Sequence, residues 1–325
     1  APALTGPVGA FVAGQLGVPV TIGSLDARLD RLRPGLVLED VRIGTDAGDE
    51  PLALDAMTLA LAPWASLRAG ALRLHALSAE GLDVTLRETP SGEWRVAGLL
   101  PGATPVAPES FLAALEGLPV DRMLIRDSRL ALVDRGGDAR LGFESVALRW
   151  RRMADDEWRF ALDARHDAER INGRMRLDTG DDRAARAVID LAGLSGARIA
   201  PWVPNPALQP QAAGRLDGRL WVNVAETGGV RITADLAGTA LGLLNGGVAS
   251  LDARAQAVGH AGQWRGQIRA RRMTLADGRE VTPGPIGFGR EAGAPWRIAL
   301  RDMPLDPLAP LLSRRLERPL AIAGR

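Results

Sequence analysis

The side chains able to do chemistry in this sequence are few and far apart. Its three histidines, His75, His166 and His260, have no partner at i, i+4, so no pair shares a helix face as a metal site of that kind requires. The chain has no Cys, hence no thiolate ligand, no cysteine nucleophile and no disulfide. Carboxylates adjoin at Asp155-Asp156-Glu157 and at Asp181-Asp182, a grouping that could share a proton or ligate calcium. Both groups lie among turn-forming residues, where Asp is favoured because its side chain bonds the local backbone. Solvated turns are the simpler reading, and a carbohydrate-active site at residues 155–157 is the enzymatic alternative. There is no G-x-S-x-G, no G-x-G-x-x-G between a strand and a helix, and no phosphate loop. The expectation is a non-enzyme with no catalytic residue, no metal and no cofactor.

All 40 basic residues are Arg, set against 39 acidic ones. A guanidinium fork suits phosphate. Along the sequence, however, these arginines are scattered through alternating segments beside abundant Ala, Gly and Pro, which reads as compositional bias rather than a phosphate site. A net charge of +1 argues against nucleic acid as a partner, because neutralising a phosphate backbone needs a concentrated basic surface. The eight Trp read as packing residues rather than as base- or sugar-stacking platforms.

The elements that must carry these residues are strands. The organising stretch is Ala71 to Leu99, where Leu72 and Leu74, then Leu82, Val84 and Leu86, alternate with polar residues, and Trp94-Arg95-Val96 follows a Thr89–Gly92 turn. A turn followed by Trp-Arg recurs at Trp158-Arg159, Trp264-Arg265 and Trp296-Arg297. The repeats are 64, 106 and 32 residues apart, so they mark a recurring hairpin and not a fixed-period solenoid. Glu39-Asp40 interrupts an alternation and suggests a bulge.

The expected division is an N-terminal helix at 1–17, a first β segment at 18–100, a second at 101–194 with a short helix at 109–116, and a third at 195–325. The third carries short helices near 195–203 and 306–316. Residues 1–25 bear no charge but are broken by Gly and Pro and make a poor membrane span, so any anchor is expected outside this chain.

The fold class expected is mainly β: an elongated antiparallel meander curved into an open groove, with a few short helices. Those helices are too few to cover a long sheet, whose apolar face must be covered by something. Either the sheet closes on itself as a sandwich or barrel, or a foreign apolar ligand fills a trough. Roughly sixteen strands at about 4.8 Å would make that trough roughly 75 Å long. The candidate lining is Leu82, Val84, Leu86, Leu130, Leu132, Trp158, Phe160, Leu162, Leu220, Val222, Val230, Ile232, Ile298 and Leu300. Alternation leaves open which parity faces inward, because one bulge reverses it.

Four stretches resemble the AsmA-like superfamily, and within it the YhdP branch: GVPVTIGSLDARLDRLRPGLVLEDVRI (Gly17 to Ile43), LAPWASLRAGALRLHALSAEGLDVTLRETPSGEWRVAGL (Leu61 to Leu99), LPVDRMLIRDSRLALVD (Leu118 to Asp134) and MPLDPLAPLLSRRL (Met303 to Leu316). The resemblance implies the periplasmic part of a protein anchored in the Gram-negative inner membrane, with a taco-like β-groove. It further implies carriage of phospholipid between inner and outer membranes. The implied partners are phospholipid acyl chains, the inner membrane through an N-terminal anchor absent here, and other envelope proteins. The competing reading is a scaffold of the cell envelope with a closed β-sandwich core.

Overall fold

In the computed structural model, the residues described are 5–6, 9–10, 13, 19–30, 33–44, 51–70, 73–88, 94–96, 120–133, 139–154, 157–180, 184–200, 210–241, 248–292 and 297–300. They form a mainly β protein built on one open, curved sheet. Its strands are β1 Val20–Asp30, β2 Arg33–Ile43, β3 Leu52–Leu61, β4 Leu74–Glu80, β5 Asp83–Glu88, β6 Trp94–Val96, β7 Arg122–Val133, β8 Ala139–Ala154 and β9 Glu157–His166. They continue with β10 Glu169–Asp178, β11 Ala184–Ser195, β12 Arg215–Val224, β13 Val230–Thr239, β14 Val248–His260, β15 Gln263–Leu275, β16 Glu280–Val281, β17 Ile286–Arg290 and β18 Arg297–Leu300. Helix α1 is Pro63–Ala69 and α2 is Gly196–Ile199. Positions 5, 6, 9, 10 and 13 are helical, whereas the helices expected at 109–116 and 306–316 lie outside the described residues.

The chain packs as two compact units, Ala1–Asp155 with Arg159–His166, and Asp156–Trp158 with Asp167–Arg325. In the first, β1, β2, β3 and β4 pair antiparallel in sequence order. The stretch around residues 71–99 does form three strands, but β4 and β5 do not pair as a hairpin. They run end to end, and both lie parallel to β7, β4 along Met123–Arg126 and β5 along Arg129–Val133. The meander is therefore antiparallel except at this seam.

A row of backbone irregularities crosses the first unit. Apolar residues that would alternate strictly are instead three apart at Ile22/Leu25, Leu38/Val41 and Leu54/Met57, aligned by register from strand to strand, and the same spacing occurs at Ala79/Leu82 and Phe143/Val146. Along β1, β2 and β3 each partner carries the extra residue, so the register is kept while apolar side chains on both sides of it stay on one face. The bulge suggested at Glu39-Asp40 is thus not a shift of register: Asp40 leaves the ladder while Leu38 and Val41 keep their partners. Asp40 (φ 51°), Gly81 (φ 68°) and Asp127 (φ 51°) take left-handed backbone along this row. Buried Ser128 fastens the corner: its Oγ accepts from the Leu82 N–H at 3.2 Å and donates to the Arg126 carbonyl at 2.9 Å. The result is one apolar face whose core centres on Leu25, Leu38, Val41, Ile43, Leu54, Met57 and Leu59.

In the second unit, β10 to β15 form an uninterrupted antiparallel meander, and β17 and β18 extend it beyond β15. Helix α2 is pinned to the start of β10 by Arg198 Nε, 2.5 Å from Glu169 Oε2, while Glu169 Oε1 accepts from the Ser195 N–H at 3.0 Å. A carboxylate this buried is retained because a guanidinium offsets its charge and a backbone N–H hydrogen-bonds Oε1.

Candidate functional site

Directly opposed residues on neighbouring strands share a face, so register assigns the faces of the second unit without ambiguity. One row runs Met175, Ala187, Val222, Ile232, Ala257, Gly266, Phe288, Ile298 across eight strands. The row beside it runs Gly173, Ile189, Leu220, Ala234, Ala255, Ile268, Ile286, Leu300 along the same registers. The flanking rows contain Leu177, Ala185, Val224, Val230, Gly259 and Trp264 on one side, and Ile171, Leu191, Gly218, Leu236 and Ala253 on the other. Seven strand-to-strand steps of about 4.8 Å make this apolar surface about 34 Å long.

The opposite face has the reverse character. Two of its rows run Asn172, Asp190, Arg219, Asp235, Arg254, Arg269 and Arg176, Arg186, Asn223, Arg231, Val258, Arg265, and between them runs Arg174, Val188, Trp221, Thr233, Gln256, Gln267. Ion pairs lace it together: Arg219 with Asp190, Arg271 with Asp235 at 2.6 Å and with Asp252 at 3.3 Å. Val188 and Trp221 are the large apolar side chains of its middle row, and the face is otherwise mostly polar.

On the apolar face Leu220, Val222, Ile232 and Ile268 are partly exposed, while Leu177, Ala234 and Ala253 are buried. Along β14 this face carries only small residues, Ala253, Ala255, Ala257 and Gly259, with Trp264 packed over Gly259. At the Gly259 end lies an open cavity of about 780 Å³, bordered by His260, Trp264, Arg265, Arg290 and Arg297 with Glu291 as its one carboxylate.

Of the residues singled out from sequence, Leu220, Val222, Val230 and Ile232 therefore stand together on the apolar face, and the backbone of Ile298 and Leu300 continues two of its rows. In the first unit Val84 lies opposite Leu130 and Leu86 opposite Leu132, with Leu82 two residues before Val84. Trp158, Phe160 and Leu162 alternate along β9. Trp158 and Phe160 are buried within the protein, the Phe160 ring 6.2 Å from that of Trp150, while Leu162 is half-buried. A search for large apolar side chains missed Ala187, Ala255, Ala257 and Gly266, although period-two Ala in β14 was visible in the sequence.

The candidates for bond-making chemistry remain dispersed. His75 Nδ1 is 3.7 Å from Asp121 and His166 Nδ1 is 3.4 Å from Glu144, and His260 borders the cavity. Glu157 pairs with Arg176 at 3.1 Å, whereas Asp155, Asp156, Asp181 and Asp182 lie outside the described residues. Among the described residues no group of three or more His, Cys, Asp or Glu is placed to hold a metal, and no helix is long and apolar enough to cross a membrane.

A family model described as YhdP protein matches residues 6–318. No curated protein and no solved structure matches the chain.

Proposed function

The chain belongs to the YhdP family of AsmA-like proteins of the Gram-negative envelope, and from that premise we propose that it carries phospholipid, acyl chains laid on its apolar sheet faces, between inner and outer membranes. The observation that supports this reading is the continuous apolar face of the second unit, whose large side chains stay partly exposed, on the reverse of a mostly polar, ion-paired face. An acyl chain on that surface leaves water at about 0.8 kcal/mol per methylene, so occupancy is favourable at every position and no single position is a trap. The gain supplies binding without direction, so a gradient or a partner must supply the direction. The family is not in general one of enzymes, and the dispersed His and carboxylate groups assemble no acid–base or metal centre among the described residues.

The envelope-scaffold alternative rests on a closed sandwich core, whereas the strands belong to one open sheet. On the proposed reading the chain works at the periplasmic side of the inner membrane, held by an N-terminal anchor, with other envelope proteins as receivers. Native mass spectrometry of the gently purified full chain tests it. Phospholipid adducts that exchange with added fluorescent lipid are expected, and a lipid-free chain that takes up none would overturn the reading.

A further inference from the structure

We propose that one end of the first unit's sheet is a docking surface for an anionic lipid bilayer. Register brings six strand ends together there: Asp30 pairs with Arg33, Gly35 with Ala60, Leu61 with Leu74, Leu74 with Val120, and Arg122 with Arg151. Five steps of about 4.8 Å make this rim about 24 Å long.

Exposed apolar side chains gather on it. Among the described residues five large hydrophobics are exposed, and four are at this end: Leu29 (71% exposed), Trp64 (82%), Leu67 (76%) and Met153 (43%). Trp64 and Leu67 are three apart on α1, so they project from the same side of a helix that buries no residue at all. That helix is nonetheless held in place. Ser66 Oγ donates to the Ala62 carbonyl at 2.9 Å and accepts from the Arg73 N–H at 2.9 Å, which ties α1 to the chain entering β4. A tied helix with its apolar side turned outward presents a fixed surface.

Arginines outnumber carboxylates there, with Asp30 and Asp121 as the acidic residues at these strand ends. Arg28, Arg68, Arg73, Arg122 and Arg151 are exposed at or beside these strand ends, and none is ion-paired to a carboxylate among the described residues. The carboxylate of Asp121 at the same end faces His75 at 3.7 Å. In the second unit Arg176, Arg198, Arg219, Arg254, Arg271 and Arg279 have acidic partners, while Arg174, Arg186, Arg231, Arg265, Arg269 and Arg272 are exposed with no carboxylate ion pair among the described residues. Unpaired arginines are therefore not confined to this rim; what sets the rim apart is that strand pairing brings five of them beside four exposed large hydrophobics.

The occupant follows from how the two kinds of side chain are arranged. A protein partner calls for a contiguous apolar centre depleted of charge, with charge at the periphery. Here single apolar side chains are spread along a line with arginines between them. That suits the headgroup zone of a bilayer, where Trp and Leu enter the acyl boundary while guanidinium groups meet phosphate. This docking is independent of whether lipid also lies on the apolar faces.

The test is co-sedimentation of the full chain with vesicles rich in phosphatidylglycerol, compared with phosphatidylcholine vesicles. Binding to the anionic vesicles, weakening as salt is raised, is expected. The pair Arg68→Gln with Arg73→Gln should reduce it about fivefold per charge removed, and Trp64→Ala with Leu67→Ser should reduce it at least as much. Val258→Ser, which removes the exposed hydrophobic of the second unit, should leave it unchanged. Every site altered is on the surface, so unchanged circular dichroism is the check on folding. Equal binding to both vesicle types, undiminished binding by either double variant, or binding of an acidic polypeptide but of no vesicle would each overturn the proposal.

Discussion

Trp264 lies flat against Gly259, its partner across the β14–β15 ladder, so that a Cβ at position 259 would stand 2.6 Å from three atoms of the indole ring. Phe288 covers Gly266 in the same way one row further on, 2.4 Å from where a Cβ would be. Each aromatic supplies the apolar surface that the glycine opposite it lacks. These pairs form part of the lipid-facing surface in the proposed function. Gly259→Val should lift the ring, lowering stability by about 1–3 kcal/mol through overpacking. Urea denaturation measures the loss, and near-ultraviolet circular dichroism should report the altered environment of Trp264.

Glu169 and Arg198 make the most buried ion pair of those quoted, with side chains 7% and 14% exposed. Removing one partner strands the other away from water. Glu169→Ala should cost about 3–5 kcal/mol, whereas Glu169→Ala combined with Arg198→Met should recover part of that loss. A double-mutant cycle by denaturant titration checks this, and additive losses would show that the two groups do not act as a pair.

The row of irregularities gives a sharper comparison between two glycines. Gly81 (φ 68°) and Gly228 (φ 75°) both adopt left-handed backbone, but a Cβ at 81 would fall 1.9 Å from Asp55 Oδ2 while a Cβ at 228 meets nothing within 4 Å. Gly228→Ala should cost only the backbone term, about 1–2 kcal/mol. Gly81→Ala should cost more, because Asp55 must also move. Thermal unfolding of the two variants side by side measures the difference.

In the β15–β16 turn, the Arg279 N–H donates to Asp277 Oδ1 at 3.0 Å and its guanidinium lies 2.7 Å from Oδ2, which holds the Asp277 carboxyl below its ordinary value. A carboxyl lowered in the folded state stabilises the turn above the pKa of the unfolded chain and loses that contribution as pH falls through the lowered value. The turn amides should therefore keep their protection from exchange through neutral pH and lose it only in acid. In Asp277→Asn this acid step should vanish, as amide exchange by NMR would register.

The strands were legible in the sequence because each keeps a clean period of two over several residues, as Leu82, Val84 and Leu86 do. The turn before Trp-Arg was legible at Trp264, which follows the Ala261–Gly262 turn into β15; the turns expected before Trp94, Trp158 and Trp296 lie outside the described residues. The parallel seam was not, because nothing local distinguishes a hairpin partner from a strand that returns after about thirty residues. Face assignment in the first unit required seeing that Leu38-Glu39-Asp40-Val41 and Leu54-Asp55-Ala56-Met57 are the same irregularity. Only the first stands out in the sequence, through its adjacent Glu39-Asp40, although a spacing of three inside a period of two recurs down the chain. The rim arginines were illegible for a different reason: strand pairing gathers positions as distant as 28 and 151.

The account turns on which face of the second unit takes lipid, and adjacent residues on β13 decide it. Ile232 belongs to the apolar rows and Thr233 to the polar ones. Ile232→Glu should sharply reduce the phospholipid that co-purifies with the folded full chain in native mass spectrometry, whereas Thr233→Glu should leave it at the wild-type level. Equal lipid loading of the two variants, or a wild-type chain that carries none, would contradict the account.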